Sequence, residues 1–228
     1  MTLVKICGVS DPKHARLAAA LGADFIGMVF APSRRQVTIG QGKRIAEGLG
    51  KAEPAVRTGD VAEIEAALGQ KRPLLVGVFA DQAPDTINDI ARECGLDLVQ
   101  LSGSEPWEMN EHIERPILKC MKVRDGETAD RLMTHYHGGA VLLLDPYVEG
   151  SYGGTGRTID WQVASEIAVQ TPTILAGGLT PTNVGEAVRS VHPWAVDVSS
   201  GVETDGAKDP NKIRSFIAAA KESHVGAA

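Results

Sequence analysis

Leu3-Val4-Lys5-Ile6-Cys7-Gly8 is an apolar run interrupted by one cation and one thiol. Extended backbone sends alternate side chains to opposite faces, so Val4 and Ile6 share one face and Lys5 and Cys7 the other. A strand of a parallel sheet is covered on both faces and is normally apolar throughout. Lys5 inside such a strand is costly unless another group uses its charge. Cys7 stands beside a glycine at the strand's carboxyl end, where parallel α/β folds gather their chemistry.

Outward from this stretch the chain repeats one pattern, a short β-rich run followed by a helical one, and eight such pairs can be counted. Strand 1 is read over 3–8, with a helix opening at Asp11-Pro12, a cap residue followed by a proline suited to the first helical position. Strand 2 is read over 24–30, followed by a basic loop at 32–35 and a helix from about Gln41; strand 3 over 74–80 is followed by a helix from Pro84. Strands 4 and 5 are read over 97–101 and 117–123, with helices from near Glu105 and from about Glu127. Strand 6 over 140–145 leads through a glycine-rich loop, 150–156, to a helix near Asp160. Strands 7 and 8, over 173–177 and 195–199, precede helices opening at Thr180-Pro181 and Asp209-Pro210.

Eight consecutive units in 228 residues predict an α/β chain folded as a single (β/α)8 TIM barrel, one domain over 1–228. An open, doubly wound sheet is the structural alternative. The segment 50–72 falls outside the repeat and adds a helical insertion between strands 2 and 3, opened by Asp60 and Glu63 in a capping-box-like spacing. It is too short for a domain and reads as an extra surface helix.

The net charge of −6 and a pI near 5.5 argue against a nucleic-acid partner and for a small soluble ligand. Three cysteines, an odd number without CxxC spacing, fit a reduced, cytoplasmic protein. No leader is visible and no apolar run approaches the ~20 residues that cross a bilayer, so no membrane partner is expected. A monomer or weak homodimer is expected.

Several residues carry chemical possibilities. Ala176-Gly177-Gly178-Leu179 and Ser199-Ser200-Gly201 follow strands 7 and 8 directly, where barrels bind phosphate through backbone N–H groups. Either alone reads as a plain tight turn; at matching positions of the repeat they favour an anion seat. Asp145 ends an apolar run, and a carboxyl carried into such surroundings rises above its free value, as a general acid at neutral pH requires. Asp197 and Ser199 lie two apart and share a face of strand 8. Arg34 and Arg35 offer a clamp for a carboxylate, or simply a solvated basic loop. Cys7 is either a small buried hydrophobe or, with Lys5 on its face, a thiolate base or nucleophile. Cys94 and Cys120 have no such setting and read as structural, and the six histidines form no arguable metal site.

These strings together resemble the phosphoribosylanthranilate isomerases of tryptophan biosynthesis. The resemblance rests on Val-Lys-Ile-Cys-Gly at 4–8, Gly22-Ala23-Asp24, Ser33-Arg34-Arg35, Gly77-Val78-Phe79, Val99-Gln100-Leu101 and Leu143-Leu144-Asp145. It continues through Tyr152-Gly153-Gly154-Thr155-Gly156, Gly177-Gly178-Leu179 and the run from Asp197 to Glu203, in family order along nearly the whole chain. It implies an Amadori rearrangement of N-(5'-phosphoribosyl)anthranilate without metal or organic cofactor. By position, Asp145 resembles the family's general acid and Cys7 its general base. Arg35 is similar to the residue holding the anthranilate carboxylate, and Asp197 to one lining the same pocket. Gly178, Ser199 and Ser200 match the phosphate-binding turns.

Three features depart from the family pattern: Ser102 stands where histidine usually follows Val-Gln-Leu, Pro146 where threonine or serine usually follows the acid, and the insertion over 50–72 is longer than that pattern. Another phosphate-binding barrel, a sugar-phosphate epimerase or an indole-forming lyase, is the alternative enzyme. A non-catalytic binder of a phosphorylated ligand is the alternative outside enzymes.

Overall fold

Where five of the helices begin follows from a short carboxylate or hydroxyl side chain set just ahead of them, Asp11, Thr38, Thr128, Asp160 and Asp209. The computed structural model describes residues 1–50, 54–56, 61–70, 73–147 and 158–223, so the cap expected at Asp60 and the loop over 150–156 lie outside the described residues. After β1 (Leu3–Ile6), α1 (Pro12–Ala20) starts with proline in its first turn, and Asp11 accepts from the His14 N–H. After β2 (Phe25–Val29), α2 (Ile39–Gly48) starts two residues earlier than the sequence reading. Thr38 and Gln41 close a reciprocal capping box there, which makes Gln41 the third helical residue rather than the first.

The insertion contains α3 (Val61–Gln70), which buries Ile64, Ala67 and Leu68 and is therefore a packed helix and not only a surface one. Just before it, the Ala55 N–H donates to Asp97 Oδ1 at 2.6 Å, and Asp97 Oδ2 accepts from Leu75 N–H at 2.7 Å. One buried carboxylate thus ties the insertion to the sheet. Next come β3 (Leu74–Phe79), α4 (Pro84–Glu93) and β4 (Leu98–Leu101).

Between β4 and β5 (Ile117–Val123) the chain forms a 3-10 turn over Trp107–His112, not the α-helix expected from Glu105. Glu105 is buried and is used elsewhere. Its carboxylate accepts from the N–H groups of Asp81 and Gly103, and its carbonyl accepts from Lys119 Nζ at 2.6 Å. It therefore anchors a loop, and Pro106 and Pro116 leave little chain for a helix.

α5 (Ala129–Met133) is short and capped by Thr128, while β6 (Val141–Pro146) and α6 (Trp161–Ala168, capped by Asp160) agree with expectation. After β7 (Thr173–Leu175), Thr180-Pro181 makes a turn and α7 (Val184–Val191) begins three residues beyond the proline. Asn183 is the reason: its Oδ1 accepts from Thr180 N–H at 2.7 Å and its Nδ2 donates to the Gly178 carbonyl. Beyond β8 (Ala195–Val198), a small hairpin of β9 (Glu203–Thr204) and β10 (Ala207–Lys208) precedes α8 (Pro210–Glu222), which Asp209 caps. Asp205 and Gly206, both at positive φ, make its turn.

The eight strands close into one parallel barrel in chain order, β1 to β8, so the chain is a (β/α)8 barrel with an added helix between β2 and β3. Two compact units are distinguishable along it: Ile6–Lys119, and Met1–Lys5 with Cys120–Ala228. In the first, β2, β3 and β4 pair in parallel, Phe25 opposite Leu74 and Val76 opposite Leu98, and Phe30 stacks on Phe79 with centroids 5.4 Å apart. In the second, Leu142 faces Thr173 and Ile174 faces Ala195, and the Leu3 N–H donates to Trp194 O at 3.0 Å. All six residues of β3 are buried, as are the apolar residues of β6, each contributing roughly 1.5–3 kcal/mol for a large side chain.

Candidate active site

Asp145 is the second-last residue of β6, preceded by four buried apolar residues that the strand needs for the barrel wall. The same packing leaves its own side chain only 11% exposed. Burial pushes its carboxyl above the ordinary carboxylate range; the Lys122 ammonium pulls the other way, Asp197 adds to the rise, and Lys5 opposes it, with burial prevailing. Lys122, on β5, donates to Asp145 Oδ2 at 2.6 Å. Burial works against the Lys122 charge, but the Cys120 sulfur and the Asp145 carboxylate outweigh it and hold the ammonium above its usual value.

Pro146 has no N–H to offer, yet it remains in the strand, because the next residue resumes the pairing: the Tyr147 N–H donates to Val123 O at 2.8 Å. The departure from the family pattern therefore leaves Asp145 on regular extended backbone. The Arg124 guanidinium lies over the Tyr147 ring, 3.5 Å from its centroid.

Lys5, with no exposed surface, donates to Asp197 Oδ1 at 3.0 Å. The charge that strand 1 carries into the barrel wall is thus matched by a carboxylate from the last strand.

The two glycine turns are in contact. Gly177 and Gly178 both have positive φ, which suits glycine alone at low cost, and Asn183 holds the Gly178 carbonyl. Across from them, a Cβ on Gly201 would lie 1.9 Å from Leu179 O, so only glycine lets the turn after β8 approach the turn after β7. Ser199 and Ser200 are half-buried at the start of the 3-10 turn Ser200–Val202. Lys208 braces this turn from behind, donating to Ser199 O at 2.8 Å and to Glu203 Oε1 at 3.0 Å in an almost fully buried pair. Paired glycine turns at this place in a barrel suit a phosphate group.

Cys7 and Arg35 belong to the other unit. Cys7 follows β1 directly, is buried, and is succeeded by Gly8 at φ 71°. Arg35 is half-buried and Arg34 exposed; the Arg35 N–H donates to Ser33 Oγ at 3.1 Å, and a bridge between Val29 and Gln36 folds the loop back. Ser102, also in this unit, accepts from Gln100 Nε2 at 2.9 Å, and Gln100 Oε1 is buried without a hydrogen-bond partner among the described residues.

The structure thus brings Asp145 together with Lys122, Lys5 with Asp197, and Gly201 with the Gly177-Gly178-Leu179 turn. Lys122, Lys208 and Glu203 were not anticipated from sequence, and Cys120, read as structural, is a neighbour of Lys122. A signal for Lys122 existed: Ile117-Leu-Lys-Cys-Met-Lys-Val is a strand-like run with cations in it, the feature that singled out Lys5.

Residues 42–219 match the family model described as N-(5'-phosphoribosyl)anthranilate (PRA) isomerase. An N-(5'-phosphoribosyl)anthranilate isomerase of Roseiflexus castenholzii is 45% identical over 222 residues, covering 96% of this chain and 98% of its own. One from Geobacter sulfurreducens is 43% identical over 223 residues, 97% of this chain and 99% of its own. Among solved structures, phosphoribosyl anthranilate isomerase from Thermotoga maritima superposes with a TM-score of 0.78 at 33% identity, over 97% of this chain and 100% of that one. A phosphoribosyl anthranilate isomerase in complex with reduced 1-(o-carboxyphenylamino)-1-deoxyribulose 5-phosphate gives a TM-score of 0.76 at 31% identity, with the same coverage. Similarity of this extent, carried along the whole barrel, places the chain in the N-(5'-phosphoribosyl)anthranilate isomerase family.

Proposed function

We propose that this chain, acting as a single-domain enzyme of the cytoplasm, rearranges N-(5'-phosphoribosyl)anthranilate to 1-(2-carboxyphenylamino)-1-deoxyribulose 5-phosphate in tryptophan biosynthesis. Asp145 gives its proton to the furanose ring oxygen. The C1'–O bond breaks as the anthranilate nitrogen lone pair forms a Schiff base with C1'. Cys7, as thiolate, removes the C2' proton, and the electrons move to give an enolamine. Loss of the enol proton at O2' and protonation at C1' yield the ketone, so the net change is an isomerisation.

Arg35 holds the anthranilate carboxylate, Asp197 lines the same pocket, and Gly177, Gly178, Ser199, Ser200 and Gly201 hold the phosphate. Anchoring both ends of the substrate fixes the sugar between acid and base, which is where much of the rate enhancement of such a reaction arises. A buried carboxyl kept above its ordinary range suits the first step, because burial favours its protonated form over the anion.

The observation that carries this reading is the alignment with relatives of this activity over 96% of the chain, at 45% identity. The test is rescue of a tryptophan auxotroph lacking the isomerase step, together with conversion of N-(5'-phosphoribosyl)anthranilate to the ketose by purified protein. Growth without tryptophan and accumulation of ketose are expected. Failure of both, with sugar-phosphate epimerisation by the same preparation, would replace this reading.

A further inference from the structure

Asp145 has two carboxylate oxygens, and the structure distinguishes them. Lys122 Nζ sits 2.6 Å from Oδ2, a distance typical of a charge-assisted hydrogen bond. Lys122 is one residue from the end of β5 and its side chain is only 20% exposed, so its position is set by the strand and by packing. Cys120 lies two residues back on the same face of β5, beside it. Carried by the strand and largely buried, the ammonium has little freedom to leave the carboxylate.

An ammonium has three donors and no acceptor, so an oxygen in its grip cannot at the same time carry a proton directed at it. With Oδ2 accepting from the ammonium, protonation of Asp145 is favoured on Oδ1, the more basic oxygen left to it. The groups acting on this carboxyl come from three strands: Lys122 from β5, Asp197 from β8 and Lys5 from β1. Lys5 is itself bonded to Asp197, which makes Lys122 the cation in direct contact with the acid among the described residues.

We propose that Lys122 is a positioning residue for Asp145: it occupies Oδ2, directs the transferable proton to Oδ1, and takes up the negative charge when that proton has left. The inference rests on the reading of Asp145 as the general acid. Burial makes the carboxylate left after transfer expensive, and a cation already in place offsets that cost without reorganisation. The arrangement gives opposing tasks to two parts of the site. Apolar surroundings keep the proton available before transfer, and the fixed ammonium stabilises the anion afterwards.

Four proteins test it: native, Lys122→Met, Lys122→Arg and Asp145→Asn, each with N-(5'-phosphoribosyl)anthranilate in steady state, and with carboxyl carbon NMR of labelled protein across pH. Asp145→Asn identifies the Asp145 signal and tests the underlying reading. In Lys122→Met, kcat is expected to fall about tenfold with KM within about twofold, less than the roughly 10²–10⁴ that the general acid itself contributes. The Asp145 titration is expected to move to higher pH, and Lys122→Arg to restore most of the rate and return the titration toward its native position. A Lys122→Met protein with native kcat, or one whose loss is confined to thermal stability and not rescued by arginine, overturns the proposal. If Asp145→Asn keeps native turnover, the assignment of the acid has failed instead, and the two results are told apart within one set of assays.

Discussion

Lys5 Nζ and Asp197 Oδ1 lie 3.0 Å apart, joining residues 192 positions distant in sequence by a buried ion pair. Lysine has no exposed surface there, and its partner's side chain is 10% exposed. Removing one member leaves the other charge uncompensated in the barrel wall. Lys5→Met is expected to cost about 3–5 kcal/mol in urea unfolding, and Lys5→Met with Asp197→Leu to cost clearly less. Equal losses in the single and double variants would show that the pair does not carry this energy.

Asp145 gives a stability prediction with a definite sign. Its carboxyl is raised above the ordinary value of 3.8 by burial, against the pull of Lys122, so the folded chain holds this proton to higher pH than the unfolded chain. Its stabilising contribution is complete below the unfolded value and is lost as pH rises through the folded value. Asp145→Asn removes this pH-dependent term but also leaves the Lys122 ammonium without its anion, so the test is the slope and not the sign at one pH. Native stability in urea is expected to fall relative to the variant as pH rises through the folded value. A difference between the two proteins that does not change with pH contradicts this account of the site.

Gly201 offers a steric test. A Cβ there would meet Leu179 O at 1.9 Å, and a backbone oxygen cannot swing away as a flexible side chain can. Gly201→Ala is expected to lose about 1–3 kcal/mol and to separate the two glycine turns. Because those turns are assigned to the phosphate, KM should rise more than kcat falls, and inhibition by inorganic phosphate should weaken in parallel.

The buried pair Lys208–Glu203 supports the same turns from behind, through the Lys208 bond to Ser199 O. Lys208→Met is expected to cost about 3–5 kcal/mol and to raise KM. Pairing it with Glu203→Gln should recover part of the stability but not the affinity, since the Ser199 carbonyl stays unbraced. Calorimetry and steady-state kinetics on the three variants separate these effects.

The barrel was legible because each strand and most helix starts announce themselves locally. Asp11-Pro12, Asp160 and Asp209-Pro210 cap as read, and strand 5 was placed over its observed range, Ile117–Val123. What was misread depended on contacts distant in sequence or on competing side chains. Glu105 reads as a first-turn helix residue but is drawn to Asp81, Gly103 and Lys119. Thr180-Pro181 looks like a helix start until Asn183 takes the Thr180 N–H for a turn. The hairpin β9–β10 carried a local signal, Asp205-Gly206, that the eightfold count obscured. In the site, Asp145 and the glycine turns were visible as residue types at strand ends. The partner of Asp145 was not, because the adjacency of strands 5 and 6 in a barrel does not fix the register that sets Lys122 level with Asp145.

The central claim is that Cys7 and Asp145 are the base and acid of one isomerisation, and the direct measurement is the turnover of N-(5'-phosphoribosyl)anthranilate by native protein, Cys7→Ser and Asp145→Asn under the same conditions. The account predicts ready conversion by native protein and a fall in kcat of about 10²–10⁴ in each variant, with KM changed little. A rate in either variant within about threefold of native, a change worth less than ~1 kcal/mol of barrier, would contradict it.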